Sequence, residues 1–252
     1  MPDPLPDPPE DRGPTETERP RIAAIVPAAG RGERLGPGIA KALRTLGGVP
    51  ILVHAVRALA TARSIDLVVV AAPEESVDEV RLMLADLSTE AEIVIVAGGD
   101  TRQDSVARAL LALSPDIDVV LVHDAARPLV PPDVVDRVAQ AVLAGADAVV
   151  PALPITDTVK EVDDEGIVVR TLDRSVLQGV QTPQGFRRSA LQLAHARSDG
   201  DDVTDDAGLV ERMAIPVRVV PGDEEAFKIT RPMDLVLAEA ILVRRRAGGV
   251  VG

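Results

Sequence analysis

Arg31, Arg34 and Lys41 stand in one glycine-rich stretch, residues 22–46, where the apolar run I-A-A-I-V-P-A-A enters G-R-G-E-R-L-G-P-G. Glycine lets backbone N–H groups turn toward phosphate oxygens with no Cβ in the way, and the cations supply the charge that phosphates need. The segment reads as a polyphosphate cradle with Gly30 and Gly32 at its centre, against the blander reading of a tight turn with solvated cations. It is not a dinucleotide fingerprint, because Leu35 stands where the third glycine belongs and P-I-L-V-H-A-V occupies the place of the ribose-binding acid. Nor is it a P-loop, since Ala40 and Ala42 flank Lys41 where G-K-[ST] is required.

Other polar residues stand just beyond apolar runs. Gly99, Asp100 and Ser105 follow E-I-V-I-V-A, while His123, Asp124 and Arg127 follow V-V-L-V. Ser105 reads equally as a helix cap and as a ligand contact, while ordinary turn chemistry is the blander reading of Asp124 and Arg127. Thr182 lies in Q-T-P-Q, and Thr204 precedes Asp205 and Asp206 as a candidate N-cap. Lys228, between Phe227 and Ile229, reads as a lysine inside a strand, which demands a partner. His54, His123 and His195 show no zinc spacing, and no chemistry is assigned to them.

The elements that must position these residues alternate. Helices are expected over 50–63 with proline first, over 76–87 with Ser76 and Glu79 at capping-box spacing, over about 105–113, 132–144 and 187–197, and from 232 onward. Strands are expected over 67–72, 92–97, 119–122, 148–151 and 217–220. Continuous apolar strands separated by helices predict an α/β, Rossmann-like doubly wound and mostly parallel sheet, whose ligands gather at the carboxyl ends of the strands. The alternation breaks over 156–177, where T-V-K-E-V, the turn D-D-E-G and I-V-V-R-T-L predict a β-hairpin with no helix to bury it. A solvated hairpin with incidental charges is the blander reading of its Thr158, Lys160 and Arg174.

Composition narrows the function classes. The 252-residue chain suits one α/β domain, 21–247, behind an acidic, proline-rich tail of residues 1–20 with six acids against Arg12 and Arg19. A net charge of −13 opposes binding to nucleic acid or anionic membrane, and two phenylalanines without Trp or Tyr give no base-stacking platform. With no cysteine, disulfides and thiolate metal sites are excluded. The tail lacks the apolar core of a signal peptide and no 18-residue apolar run occurs, so a cytoplasmic protein is expected.

Taken in order, A-A-G-R-G-E-R-L with Lys41, G-G-D-T-R-Q-D-S-V, V-H-D-A-A-R-P, D-T-V-K, T-L-D-R, Q-T-P-Q-G-F, V-T-D-D-A and F-K-I-T-R-P-M-D-L resemble the 2-C-methyl-D-erythritol 4-phosphate cytidylyltransferase family over about residues 22–243. The resemblance implies transfer of CMP from CTP to a sugar-alcohol phosphate. It implies Arg34, Lys41 and Lys228 as the charge-neutralising catalytic cations, and Ala28, Ala29, Gly30, Gly32, Gly99, Asp100 and Ser105 around the nucleotide. Asp124, Arg127, Thr158, Arg174, Thr182 and Thr204 would hold the substrate, with Thr158 and Arg174 reaching a neighbouring subunit's site on the exchanged arm of a homodimer. Mg²⁺ would sit mainly on CTP phosphates, possible contact with Asp124 being the one protein position implied. Departures are Ala42-Leu43 after the lysine and Gly36-Pro37-Gly38 in the loop. Rival readings are a ribitol 5-phosphate cytidylyltransferase, a guanylyltransferase sharing the first loop, and a non-catalytic nucleotide-binding regulator.

Overall fold

The computed structural model describes residues 19–29, 44–198 and 203–248. Arg31, Arg34, Lys41, Gly30, Gly32 and residues 1–18 of the tail lie outside them. Arg19, placed in the tail by its sequence, pairs with Asp66 at 2.5 Å, and Asp66 also accepts the Ile22 N–H.

The sheet grows from β1 (Arg21–Pro27), which pairs in parallel with β4 (Leu67–Ala72) on one edge and β6 (Ile117–Val122) on the other, while β2 (Thr45–Leu46) and β3 (Val49–Pro50) pair only with each other as a short antiparallel ribbon. β5 (Glu92–Ala97) extends it beyond β4. β11 (Gln184–Arg187) runs antiparallel between β6 and β7 (Ala148–Pro154). β10 (Gln178–Val180) is antiparallel to the far half of β7, and β12 (Val217–Pro221) is parallel to it. The sheet is thus mostly parallel, as the unbroken apolar strands require when both faces are covered.

Strand alternation divides the core in two. Ile22, Ala24, Val26, Val68 and Val70 face one side, where α1 (Ile51–Ala60), α2 (Val77–Leu84) and α4 (Pro132–Leu143) supply Leu52, Val80 and Val138. Ala23, Ile25, Val69 and Ala71 face the other, under α3 (Arg102–Leu111), α5 (Arg188–Ala196) and α6 (Asp206–Glu211) with Val106, Leu191 and Leu209. A third cluster joins Leu46, Ile51, Leu129 and Ile229 to Ala238 and Ile241 of α7 (Pro232–Ala247).

Four local expectations are corrected. Pro50 sits at the cap position of α1, with Ile51 the first helical residue. Ser76 precedes α2 without a side-chain cap bond, because residues 74–76 form a 3-10 turn and the helix is shorter at both ends. α3 starts ahead of Ser105: Thr101 is its cap, accepting from the Asp104 N–H while Asp104 reaches back to the Thr101 N–H. Residues 227–230 form no strand; a short 3-10 turn, Glu224–Ala226, leads into an irregular segment.

The hairpin β8 (Lys160–Val162) and β9 (Val168–Thr171) stands off the main sheet as a two-stranded ribbon. Asp163 closes its turn by accepting the Glu165 and Ile167 N–H groups, and Gly166 adopts φ +79°, a conformation that favours glycine. Every residue of both strands is exposed, including Val162, Val168 and Val169.

Candidate active site

β6 ends by delivering His123 and Asp124 to the carboxyl edge of the sheet, where the His123 N–H donates to Ile25 O at 2.8 Å. Asp124 is the hub. Lys228 Nζ donates to its Oδ2 at 2.7 Å, Arg102 Nε lies 3.3 Å from its Oδ1, and its own N–H donates to Thr182 Oγ1 at 3.0 Å. Four chain segments far apart in sequence meet at this one residue.

Each partner is held from behind. The Ile229 N–H donates to Ala126 O at 2.8 Å, fixing the 227–230 segment beside the loop after β6 and bringing Lys228 to Asp124. Arg102, in the first turn of α3, also meets Asp206 at 2.7 Å, and Asp206 accepts from His195 Nε2 at 3.0 Å. Arg127 donates to Ala226 O at 2.7 Å and Val180 O at 3.3 Å, so its guanidinium clamps two segments around the site; its Nε is buried without a partner among the described residues. His123 is buried with Nε2 against Arg127 O at 3.1 Å and Nδ1 against Thr182 Oγ1 at 3.0 Å. A carbonyl only accepts, so Nε2 carries the proton and the Thr182 hydroxyl donates to Nδ1.

The electrostatics follow from this packing. Burial alone would raise the Asp124 carboxyl, but Arg102 and Lys228 outweigh it and hold the group far below the ordinary carboxylate range. Asp206 is likewise lowered, with Arg102 and His195 overcoming burial. Burial also opposes the charge on Arg102, yet Asp206 and Asp124 raise its pKa overall. Burial lowers Arg127, with only partial return from Asp124, and pushes His123 down to about 4 against the pull of Asp124.

The second half of the edge lies at the end of β5. The Gly98 N–H donates to Ala72 O at 2.7 Å, and the Ala28 N–H to Ala71 O at 2.8 Å, which brings the ends of β1 and β5 together across β4. A Cβ on Gly98 would lie 2.7 Å from Ala29 Cβ and 2.9 Å from Ser105 Oγ. Ser105 is buried; its hydroxyl accepts the Gly99 N–H at 3.1 Å and donates to Thr101 O at 2.9 Å. It therefore shapes the Gly98-Gly99 turn from inside α3 and is no cap. Asp100 is exposed on that turn.

Of the residues singled out in the sequence, Asp124, Arg127, Thr182 and Lys228 come together, as do Ala29, Gly99 and Ser105, with Ala28 anchored alongside. Thr158 and Arg174 stand exposed on the arm, where the Arg174 guanidinium bonds Thr156 O. Lys160 Nζ donates to Thr171 Oγ1 across the ribbon. Thr204 is exposed one residue before the actual cap of α6, Asp205, whose side chain accepts the Gly208 N–H. The sequence reading missed Arg102, His123, Asp206 and His195 as members of the network. The signal available was their place in the motifs G-G-D-T-R-Q-D, V-H-D-A-A-R-P and V-T-D-D; His195 carried none.

The comparisons agree with this geometry. The family model for 2-C-methyl-D-erythritol 4-phosphate cytidylyltransferase matches residues 22–244. A protein of that description from Streptomyces coelicolor is 53% identical over 234 residues, 90% of this chain and 86% of the relative. Another from Frankia casuarinae is 59% identical over 225 residues, 89% and 82% of the two chains. The crystal structure of 4-diphosphocytidyl-2C-methyl-D-erythritol synthase from Anaerococcus prevotii superposes with TM-score 0.78 at 30% identity, covering 89% of this chain and 96% of that one. The 2-C-methyl-D-erythritol 4-phosphate cytidylyltransferase of Thermus thermophilus gives 0.70 at 39% identity, with 88% and 98% covered. A match of this extent, carried by strand-end motifs that the fold gathers around Asp124, places the chain in the 2-C-methyl-D-erythritol 4-phosphate cytidylyltransferase family.

Proposed function

We propose that the protein transfers CMP from CTP to 2-C-methyl-D-erythritol 4-phosphate, supplying the cytidylylated intermediate of isoprenoid precursor synthesis. The observation that carries the reading, beside family membership, is the Lys228–Asp124–Arg102 ion-pair cluster at the carboxyl edge of a sheet whose first strand leads into the cation-bearing glycine stretch. A phosphate oxygen of the acceptor attacks the α-phosphorus of CTP; that P–O bond forms as the bond to the β-phosphate oxygen breaks, and pyrophosphate leaves with the electron pair. Two anions must meet, so the work is positioning and charge neutralisation.

In this reading Arg34, Lys41 and Lys228 neutralise charge building on the α-phosphate. Asp124 fixes Lys228 Nζ, and Arg102 keeps Asp124 ionised and oriented. Ala28, Ala29, Gly30, Gly32, Gly99 and Asp100 frame the nucleotide, with Ser105 holding the Gly99 N–H in place. Arg127, Thr182 and Thr204 border the acceptor. Among the described residues no three His, Asp or Glu side chains form a metal cage, and both oxygens of Asp124 face cations. That donor set fits an ion held chiefly by ligand phosphates, so Mg²⁺ would be carried by CTP with Asp124 as its protein neighbour, where it would withdraw charge from the phosphates.

The exposed valines of the arm favour a homodimer with exchanged arms, in which the partner subunit's Thr158 and Arg174 complete each site. A cytoplasmic location belongs to the same reading; no described helix is long and apolar enough to cross a membrane. Pyrophosphate release with CTP and Mg²⁺, measured against 2-C-methyl-D-erythritol 4-phosphate and ribitol 5-phosphate, tests the reading. Faster turnover of the methylerythritol ester is expected; equal or faster turnover of ribitol 5-phosphate would overturn the acceptor and leave the fold untouched.

A further inference from the structure

Beside the loop after β6, the C-terminal helix closes over a cavity of about 250 Å³. Arg57 of α1 and Arg245 and Arg246 of α7 line it together with His54, and Leu129 and Leu242 supply apolar wall. Three guanidiniums on one small cavity repel one another, and the compensation present is incomplete. Arg245 donates to Glu225 at 2.9 Å and to Leu129 O at 2.8 Å, but Glu225 is shared with Arg244. No ion pair among the described residues includes Arg57 or Arg246. Burial lowers the pKa of His54, against its bond to Leu46 O, and all three arginines push the same way, so the imidazole stays neutral and adds no charge of its own. This is a local excess of positive charge in a chain of net charge −13.

We propose that this cavity is a second binding site, taking a small phosphate ester with a short apolar group. Guanidinium forks match phosphate oxygens bidentately, and the Leu129 and Leu242 wall suits a hydrocarbon stub of a few carbons. Occupancy reaches the reacting groups through covalent neighbours. Leu129 lies two residues after Arg127, and Glu225 immediately precedes Ala226, whose carbonyl holds Arg127, three residues before Ile229 and one from the segment bearing Lys228. Leu129, Ile229 and Leu242 also pack in one cluster with α7. A phosphate that draws Arg245 from Glu225 loosens the 224–229 segment, so the site lowers turnover without competing with CTP. The site goes beyond the proposed reaction, and its binding readout does not depend on that reaction.

The test is calorimetric titration of the full chain with n-butyl phosphate, with and without saturating CTP, using inorganic phosphate and 1-butanol as comparisons. Saturable binding is expected, unaffected by CTP and at least tenfold tighter than that of inorganic phosphate. It should weaken tenfold or more in the double variant Arg57→Ala/Arg246→Ala, and likewise in Ala58→Phe, which fills the cavity and leaves the guanidiniums in place. Should one variant fail to fold, the other still decides. Displacement by CTP, wild-type affinity in a folded variant, or equal binding of inorganic phosphate would overturn the site as described. Butyl phosphate should also lower kcat at saturating CTP; binding without that effect would overturn the coupling to Lys228.

Discussion

Lys228 and His123 illustrate two ways in which a buried neighbour sets what a side chain does. Lys228 owes its position to Asp124, and truncating it removes a charge whose effect is greatest as the α-phosphate gains charge. Lys228→Ala is expected to lower kcat by about 10²- to 10³-fold, by analogy with loss of one oxyanion-type donor, while weakening CTP binding far less. Steady-state kinetics with equilibrium CTP titration checks this, and normal turnover at saturation would remove Lys228 from the chemistry. His123 acts through neutrality. Its folded pKa of about 4 lies below the ordinary 6.5, so between those values the unfolded chain takes up a proton that the folded chain refuses. Stability from this group is complete above about pH 7 and is lost as pH falls toward 4, by about 3 kcal/mol at most. Urea unfolding of wild type and His123→Gln at pH 7, 5.5 and 4.5 should show the smaller fall in the variant; parallel curves would show that His123 does not drive the acid sensitivity.

At the level of elements, the turn between β5 and α3 is built around a close approach. Gly98 leaves no room for a Cβ against Ala29 and Ser105, and the Thr101–Asp104 capping box sets the angle at which α3 leaves the turn. Gly98→Ala must therefore push the ends of β1 and β5 apart. Overpacking of this kind costs about 1–3 kcal/mol, and if that strain is relieved at the nucleotide face, CTP KM should rise about tenfold. Kinetics with a parallel melting curve separates this from unfolding: a folded variant with unchanged CTP KM would show that the turn does not frame the nucleotide. The boundaries of β4 and β5 were legible to the residue, because unbroken β-branched runs end there at Pro73 and Gly98. The cap of α3 was not, since Ser105 and Thr101 are equally good cap types and only the bond from the Asp104 N–H chooses between them.

For the whole molecule, the arm is the feature that a single chain leaves unexplained. Val162, Ile167, Val168 and Val169 are each more than half exposed, and a two-stranded ribbon is marginal alone. Exchange of arms across a two-fold axis would cover them and carry Arg174 to the partner's site. Verified heterodimers of Arg174→Ala with Lys41→Ala should then regain up to about half of the activity per dimer, since one of two composite sites keeps both residues. Ile167→Asp/Val169→Asp should shift sedimentation toward the monomer. Activity no higher than that of the parental homodimers would return Arg174 to its own chain or remove its role.

What the sequence determined by itself is whatever depends on local covalent order: the apolar runs that must be buried strands, the Asp163–Gly166 turn, and motifs specific enough to name a family. The tertiary structure decided the partners. Asp124 lies 22 residues from Arg102, 58 from Thr182 and 104 from Lys228. No local periodicity encodes such pairings, because sheet register and the crossing of segments over the sheet edge determine them. The same reason hid Asp206 and His195, which matter only through the arginine standing between them and the site.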